Sequence, residues 1–246
     1  MNPKNPDLKK NNPVPFIEHL YELRFRLLIY IVTLIALTAL SFYFYPIILQ
    51  IMLLPINQKL FYTSPGGGLD LMIRLSLLAG FIFSLPMLLY QTFKFIEPSL
   101  PLNHNLKTFN LILSSFVLTV LGLAFAYFIS LPASLYFLSN FSSDQIQALI
   151  TTNEYFGFVS RYLLGFALFF QLPLILFLIN NIYSIKVSAI LKFQKYVIVL
   201  SFILAAILTP TPDFINQAIM AAPLIALYYF STFILYLTNR RLTGKN

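Results

Sequence analysis

The chain has 246 residues, of which 59% are hydrophobic and only 10% are charged, and its mean hydropathy is +0.80. A soluble domain carries about 25% charged residues, so this composition predicts a multi-spanning membrane protein. The sequence contains no cysteine, which excludes disulfides, thiolate catalysis and cysteine-ligated metals.

The N-terminal part combines a polar tail with a charged helical pattern. Residues 1–15 are rich in Asn, Pro and Lys and predict a disordered tail. In Phe16–Arg26, apolar residues recur at helical spacing, while Glu18, Glu22 and Arg26 lie four residues apart in turn. This pattern predicts a helix at the membrane surface that presents carboxylates to water. On spacing alone, the commoner explanation is a solvated lead-in that only orients the first span.

Six apolar runs follow, and most approach or exceed the roughly 20 residues that span a bilayer as a helix. They are Leu27–Tyr45, Leu71–Phe95, Phe109–Leu131, Phe156–Tyr183, Tyr196–Leu208 and Phe214–Leu237. The prediction is an all-α membrane protein with six transmembrane helices, in which Pro46 and Pro132 end the first and third runs. The fifth run has only thirteen residues. The C-terminal part is therefore either two short spans or a shallow re-entrant hairpin.

The distribution of basic residues predicts the orientation. In the six-span arrangement, one face carries thirteen of the sixteen Lys and Arg residues, and the opposite face carries only Lys59, Arg74 and Arg161. Cytoplasmic loops carry such an excess, so both termini are expected on the inner side. The net charge of +8 is then explained by topology and does not indicate nucleic-acid binding.

Few residues suggest chemistry within the spans. Gln171 is the most polar residue at mid-membrane depth, and His19 and His104 lie in separate segments without metal-ligand spacing. The sequence contains no P-loop and no Ser/His/Asp arrangement, so neither an enzyme nor a metal or cofactor site is expected. The alternative function is an ion-coupled secondary transporter of a small solute. Such a protein normally needs an intramembrane acid and a repeated half, and the sequence offers neither.

Four motifs resemble those of the TatC family, the polytopic core of the twin-arginine protein translocase. They are His-Leu-x-Glu-Leu-Arg-x-Arg-Leu at 19–27, Pro and Tyr-Gln leading into Phe-x-x-Pro-x-Leu at 86–100, Phe-Gln-x-Pro at 170–173 and Thr-Pro-x-x-Asp at 209–213. Pro55 fits the proline of the family's first outer loop. The correspondence runs in order through Phe16–Leu237.

The resemblance implies a fold and a function. The expected fold is a cup-shaped, N-in/C-in, six-helix membrane domain at 16–237, followed by a basic cytoplasmic tail at 238–246. The implied function is to bind Arg-Arg signal peptides of folded precursors on the inner face and to recruit single-span TatA/TatB-type subunits. Export is then driven by the proton-motive force, without a cofactor. A homo-oligomer within the complex is expected, in a bacterial plasma membrane, or in a thylakoid or mitochondrial inner membrane if the protein is organelle-encoded.

The resemblance also implies two groups of site residues. Those expected to bind the signal peptide are Glu18, Glu22, Arg24, Phe95, Glu97, Pro98 and His104. Those expected to dock partners or to support the fold are Pro55, Gln171, Pro173 and Asp213. For Gln171, helix–helix adhesion and partner docking are equally favoured and compatible.

Two positions depart from the family pattern. His104 stands where the family usually has a loop Glu, and Gln171 stands where bacterial members commonly have Glu. We expect Glu97 to compensate for the first departure. In this hypothesis Glu97 and Glu22 together bind the two arginines of the signal peptide, and Glu18 supports them. The competing interpretation is that Glu97 only pairs with Lys94 on one helical turn.

Overall fold

The structure is a computed structural model that describes residues 16–56, 59–96, 108–139, 149–183, 187–209 and 213–243. Within these ranges the chain is helical and contains no β-strand, only an isolated parallel bridge between Phe61 and Thr151. The prediction of an all-α fold is confirmed. The expected tail at 1–15 lies outside the described residues.

The first apolar run forms one long helix and a short one. Helix α1 covers Phe16–Tyr43, and α2 covers Tyr45–Leu53 with Pro46 in its first turn. The missing N–H of a proline costs nothing at that position, which explains why the new helix begins there. The charged stretch at the start is continuous with α1. Nothing in that stretch interrupts helical hydrogen bonding, so the predicted surface helix and the first span form one helix, and its position at the membrane surface stays a prediction.

The second and third runs form helices that continue through proline. Helix α3 covers Gly67–Ile96 with Pro86 inside it. Helix α4 covers Thr108–Phe125 and passes through a π-helical segment, Ala126–Ser130, into α5 at Leu131–Ser139. The prediction that Pro132 ends the third run was therefore wrong. The wider π turn directly before Pro132 relieves the clash between the proline ring and the preceding turn.

The fourth run is divided in the middle. Helix α6 covers Thr152–Phe169, and α7 covers Leu172–Tyr183. Pro173 lies in the first turn of α7, where its missing N–H is tolerated. In an uninterrupted helix its ring would clash with the carbonyl of Phe169, which is where α6 ends. At the other end of α6, Thr151 and Glu154 form a reciprocal capping box.

The C-terminal region contains helices of unequal length. A short α8, Val187–Lys192, precedes α9 at Gln194–Leu208, and α10 covers Phe214–Thr243. At about 1.5 Å per residue, the fifteen residues of α9 reach only about 22 Å. The thirty residues of α10 exceed the thickness of the hydrocarbon core of a bilayer. Only the first of the two expected short C-terminal spans is therefore short.

Five helical segments of the described chain are long and apolar enough to cross a membrane. They are Leu20–Tyr43, Gly67–Ile96, Phe109–Leu138, Thr152–Asn180 and Phe214–Leu237, with Gln194–Leu208 as a shorter apolar helix. A chain with these helices is an integral membrane protein. The six-span count, the cup shape and the N-in/C-in orientation stay predictions.

Packing is centred on α3 and α6. Helix α3 contacts α1, α4 and α6, and α10 packs against α7 and α9. Two of these contacts depend on glycine. A Cβ atom at Gly80 of α3 would lie 2.7 Å from Thr38 Cα of α1, and one at Gly122 of α4 would lie 2.8 Å from the Phe166 carbonyl oxygen of α6. These glycines bring the backbones of neighbouring helices into close contact.

Candidate functional site

The predicted site residues at the start of α1 lie beside the end of α3. Arg26 donates from Nε to Glu22 Oε1 at 3.0 Å and from Nη1 to Gln91 Oε1 of α3 at 3.4 Å. The side chains of Glu22 and Arg26 are 29% and 22% exposed. Four residues further along α1, Tyr30 shares a buried hydrogen bond with Ser84. Two polar contacts therefore attach this part of α1 to α3.

The remaining residues expected to bind the signal peptide are only partly described. Arg24 is exposed on α1, and Phe95 is half-buried in the last turn of α3. Glu18 belongs to α1, but its side chain lies outside the described part. Glu97, Pro98 and His104 lie outside the described residues. Glu22 and Arg24 thus lie on α1 and Phe95 lies on α3, and signal-peptide binding by all seven residues stays a prediction.

Gln171 lies in the break between α6 and α7, and its side chain is 2% exposed. Its Oε1 atom accepts a 2.8 Å hydrogen bond from Ser115 of α4. Its Nε2 group donates to Thr119 Oγ1 at 3.0 Å and to the Ser115 carbonyl oxygen at 3.3 Å. Both halves of the amide are thus bonded within the chain, so the geometry favours a role in joining helices. Partner docking through this residue stays a prediction.

Sequence reasoning missed the partners of these residues. Ser115 and Thr119 lie four residues apart in the third apolar run and are therefore on one face of the helix. That spacing was the available signal for a polar stripe facing Gln171. Gln91 belongs to the TatC-like motif at 86–100, and this position was the available signal for it. No periodicity in the sequence could pair it with Arg26.

At the helix ends far from Glu22, side chains form hydrogen bonds with backbone groups. Asp213 caps α10, since its Oδ1 atom accepts a 2.7 Å hydrogen bond from the Asn216 backbone N–H. Pro55 follows α2, and Tyr155 of α6 donates to the Met52 carbonyl oxygen at 2.7 Å, near the end of that helix. This bond satisfies a carbonyl that has no helical partner. Asp213 is thus in a structural position, and the role of Pro55 stays a prediction.

Within the described residues, no group of three or more His, Asp or Glu side chains could hold a metal ion. Two ion pairs among the described residues, Glu22–Arg26 and Asp70–Arg74, each lie within one helical turn. The arrangement offers carboxylate and guanidinium groups at helix ends and a buried amide between spans. Such groups are suited to recognition and to helix packing.

The family model described as "Sec-independent protein translocase protein (TatC)" matches residues 18–223. The chain belongs to the TatC family. The match includes the charged stretch of α1, all of α6 and α7, and the start of α10, so it covers most of the described fold.

Relatives and solved structures agree with this assignment. The TatC protein of Aquifex aeolicus is 35% identical over 93% of this chain and 97% of its own length. An uncharacterized tatC-like protein, ycf43, of Gracilaria tenuistipitata is 31% identical over 96% of this chain and 100% of its own. A crystal structure of the twin-arginine translocase receptor TatC in DDM superimposes with a TM-score of 0.79 at 35% identity, covering 88% of this chain and 98% of that one. The all-helical TatC membrane fold is thereby confirmed.

Proposed function

We propose that this TatC-family chain is the receptor of a twin-arginine translocase. It binds Arg-Arg signal peptides of folded precursors on the inner face and recruits single-span TatA/TatB-type subunits. The observation that carries the proposal is the likeness to a solved twin-arginine translocase receptor over 88% of the chain. The reaction is transport driven by the proton-motive force, without a catalytic residue or cofactor.

The partly exposed carboxylate of Glu22 supports the peptide-binding part of the proposal. A guanidinium group pairs with a carboxylate through short, charge-assisted hydrogen bonds, and the contact with Arg26 demonstrates this geometry at Glu22. An ionised carboxylate can accept several hydrogen bonds, and in this proposal Glu22 accepts from an incoming arginine in addition to its contacts within the chain. Glu18, Arg24, Phe95, Glu97, Pro98 and His104 complete the proposed peptide site.

Membership of the TatC family also supports a proposal for the assembly, the membrane and the orientation of the chain. The chain acts within a homo-oligomeric complex, in a bacterial plasma membrane or in the thylakoid or mitochondrial inner membrane. Both termini face the compartment where precursors are made, because the basic residues are concentrated on that side. The alternative is an ion-coupled solute transporter, which normally needs an acid within the membrane. The described residues do not support it, because the buried residue that joins α4 to the break between α6 and α7 is the amide Gln171.

The test is binding of fluorescent precursor peptides to the purified full chain in detergent. Wild-type protein should bind an Arg-Arg signal peptide at least tenfold more tightly than its Lys-Lys variant. Glu22→Gln should weaken Arg-Arg binding by about 10- to 100-fold, the effect of losing a charged hydrogen bond of about 1.5–3 kcal/mol.

Asp70→Asn is the matched control. Asp70 also accepts a hydrogen bond from an arginine one turn later, at 2.9 Å, but it lies at the opposite end of α3 from Gln91. This variant should bind the Arg-Arg peptide as the wild type does. Equal binding of the Arg-Arg and Lys-Lys peptides by the wild type would contradict the proposed function.

A further inference from the structure

An open cleft lies between α1, α3 and α6, away from the end of the molecule that holds Glu22. Its volume is about 460 Å³, within the usual range for small-molecule sites. The polar residues that line it are Arg74 of α3 and Asn153 and Ser160 of α6. The rest of the lining is apolar apart from Gly157, and it includes Leu34 of α1. The cleft opens among helices that are long and apolar enough to span the membrane.

The lining is most polar near the starts of the helices and mainly apolar further along, where Ser160 is the remaining polar residue. Arg74 and Asn153 lie near the starts of α3 and α6, whereas Phe81 and Leu164 lie further along the same helices. Eleven residues separate Asn153 from Leu164, which corresponds to about 16 Å at 1.5 Å per residue. An amphiphile with a polar head and an apolar chain matches this gradient.

The charge at the polar end selects for an anionic head group. Arg74 is 66% exposed, and Asp70 accepts a hydrogen bond from its Nε atom at 2.9 Å. The Nη1 and Nη2 groups of the same guanidinium can donate to a phosphate. A neighbouring cavity of about 440 Å³ shares Leu71 and Phe156 with the cleft and is lined by Lys59. The charged residue in the lining of the cleft is Arg74, and that in the lining of the neighbouring cavity is Lys59. Asp70, which pairs with Arg74, lines neither of them.

The part of the cleft beside Gly157 is open. A Cβ atom at this position would meet nothing within 4 Å, whereas Gly80, Gly122 and Gly165 are each required by close contacts with neighbouring helices. Glycine within a helix costs about 0.5–1 kcal/mol relative to alanine. Packing within the described chain does not require this glycine, and the space beside it is part of the cleft.

We propose that this cleft binds one acidic phospholipid, with its phosphate at Arg74 and one acyl chain along Leu78, Phe81 and Leu164. A zwitterionic head group would bring its own cation close to the guanidinium, so phosphatidylglycerol should bind more tightly than phosphatidylcholine. The inference rests on the cleft and does not depend on the proposed function.

The experiment measures lipid retention by native mass spectrometry, using the full chain in detergent with added dioleoyl-phosphatidylglycerol or dioleoyl-phosphatidylcholine. The wild type should bind the acidic lipid at least fivefold more tightly. Arg74→Gln should abolish that preference, since one basic residue near a membrane surface contributes about fivefold in affinity. Gly157→Leu should place a side chain in the cleft and reduce retention of either lipid by about tenfold.

Two variants serve as controls. Arg161→Gln removes an exposed arginine of α6 that donates to the Gly157 carbonyl oxygen and does not line the cleft, and it should retain the lipid preference. Gly157→Ala should bind lipid within about twofold of the wild type, which separates filling of the cleft from loss of glycine.

Three results would overturn the proposal. One is equal retention of the two lipids by the wild type, and another is unchanged retention by both Arg74→Gln and Gly157→Leu. The third is that the Gly157→Leu variant retains lipid as the wild type does but differs from it in oligomeric state or in signal-peptide binding. That result would assign the cleft to a second copy or to a peptide.

Discussion

Ser115 of α4 donates a 2.8 Å hydrogen bond to Oε1 of Gln171, at the point where the fourth apolar run is divided into α6 and α7. The amide returns hydrogen bonds to the Ser115 carbonyl oxygen and to Thr119 Oγ1. The two spans are therefore joined by groups without a proton to titrate in the physiological range. We expect this connection to be independent of pH.

The first prediction concerns the stability contributed by this connection. Gln171→Leu and Ser115→Ala should each lower the free energy of unfolding by about 0.6 kcal/mol, and by no more than about 1.7 kcal/mol, the range for hydrogen bonds between membrane helices. The double variant should cost less than the sum of the two, because both remove the same bond. Unfolding in detergent measures this, with the exposed neighbour Ser114→Ala as control. Additive effects would mean that the bond contributes nothing.

The second prediction concerns partner docking at Gln171. Gln171→Leu should weaken co-purification of a single-span TatA/TatB-type subunit while leaving Arg-Arg signal-peptide binding intact. Since Gln171 is 2% exposed, any effect on the partner should act through the positions of α4 and α7. Equal loss of both activities would indicate a folding defect and leave only the structural role.

The third prediction compares two glycines within helices. A Cβ atom at Gly80 would lie 2.7 Å from Thr38 Cα, so Gly80→Ala should separate α1 from α3 and destabilise the protein by about 1–3 kcal/mol. At Gly157 the added atom meets nothing, so Gly157→Ala should stabilise the protein by about 0.5–1 kcal/mol. Thermal unfolding of both variants measures the difference. Destabilisation of equal size would refute the close-packing explanation.

The fourth prediction concerns topology. Reporter fusions at Asn103, Ile185 and Thr243 should report the inner face, because the basic residues of the six-span arrangement lie on that side. Fusions at Ser64, Ser142 and Thr211 should report the outer face. An outer-face signal at Ile185 would contradict the six-span arrangement and the functional proposal with it.

The fifth prediction concerns compensation for the missing loop carboxylate. Glu97→Gln should weaken precursor binding about as much as Glu22→Gln does, because two guanidinium groups require more than one carboxylate. His104→Glu should partly restore binding to the Glu97→Gln variant. Normal binding by Glu97→Gln, beside a defective Glu22→Gln, would show that the compensation hypothesis is wrong.

Most ends of the spans were predictable to within a few residues because their signal is local, whereas the start of the first span and the end of the third each differ by seven residues. A helix in a bilayer satisfies its own backbone hydrogen bonds, so a run of apolar residues is enough to indicate one. The start of α2 at Tyr45–Pro46 and the break before Pro173 follow the same local rule for proline. Pro132 did not follow it, because a π-helical segment absorbed the ring without ending the helix.

The sequence by itself determined the class of the protein, the approximate spans and, through four motifs in order, the family. Only the tertiary structure decided which polar groups meet. Arg26 and Gln91 are 65 residues apart, and Ser115 and Gln171 are 56 residues apart, so neither contact leaves a periodic signal. The cleft at Arg74 and Gly157 likewise exists only where α1, α3 and α6 pack together. Such contacts depend on which helix faces are buried against each other, and composition and spacing do not specify that choice.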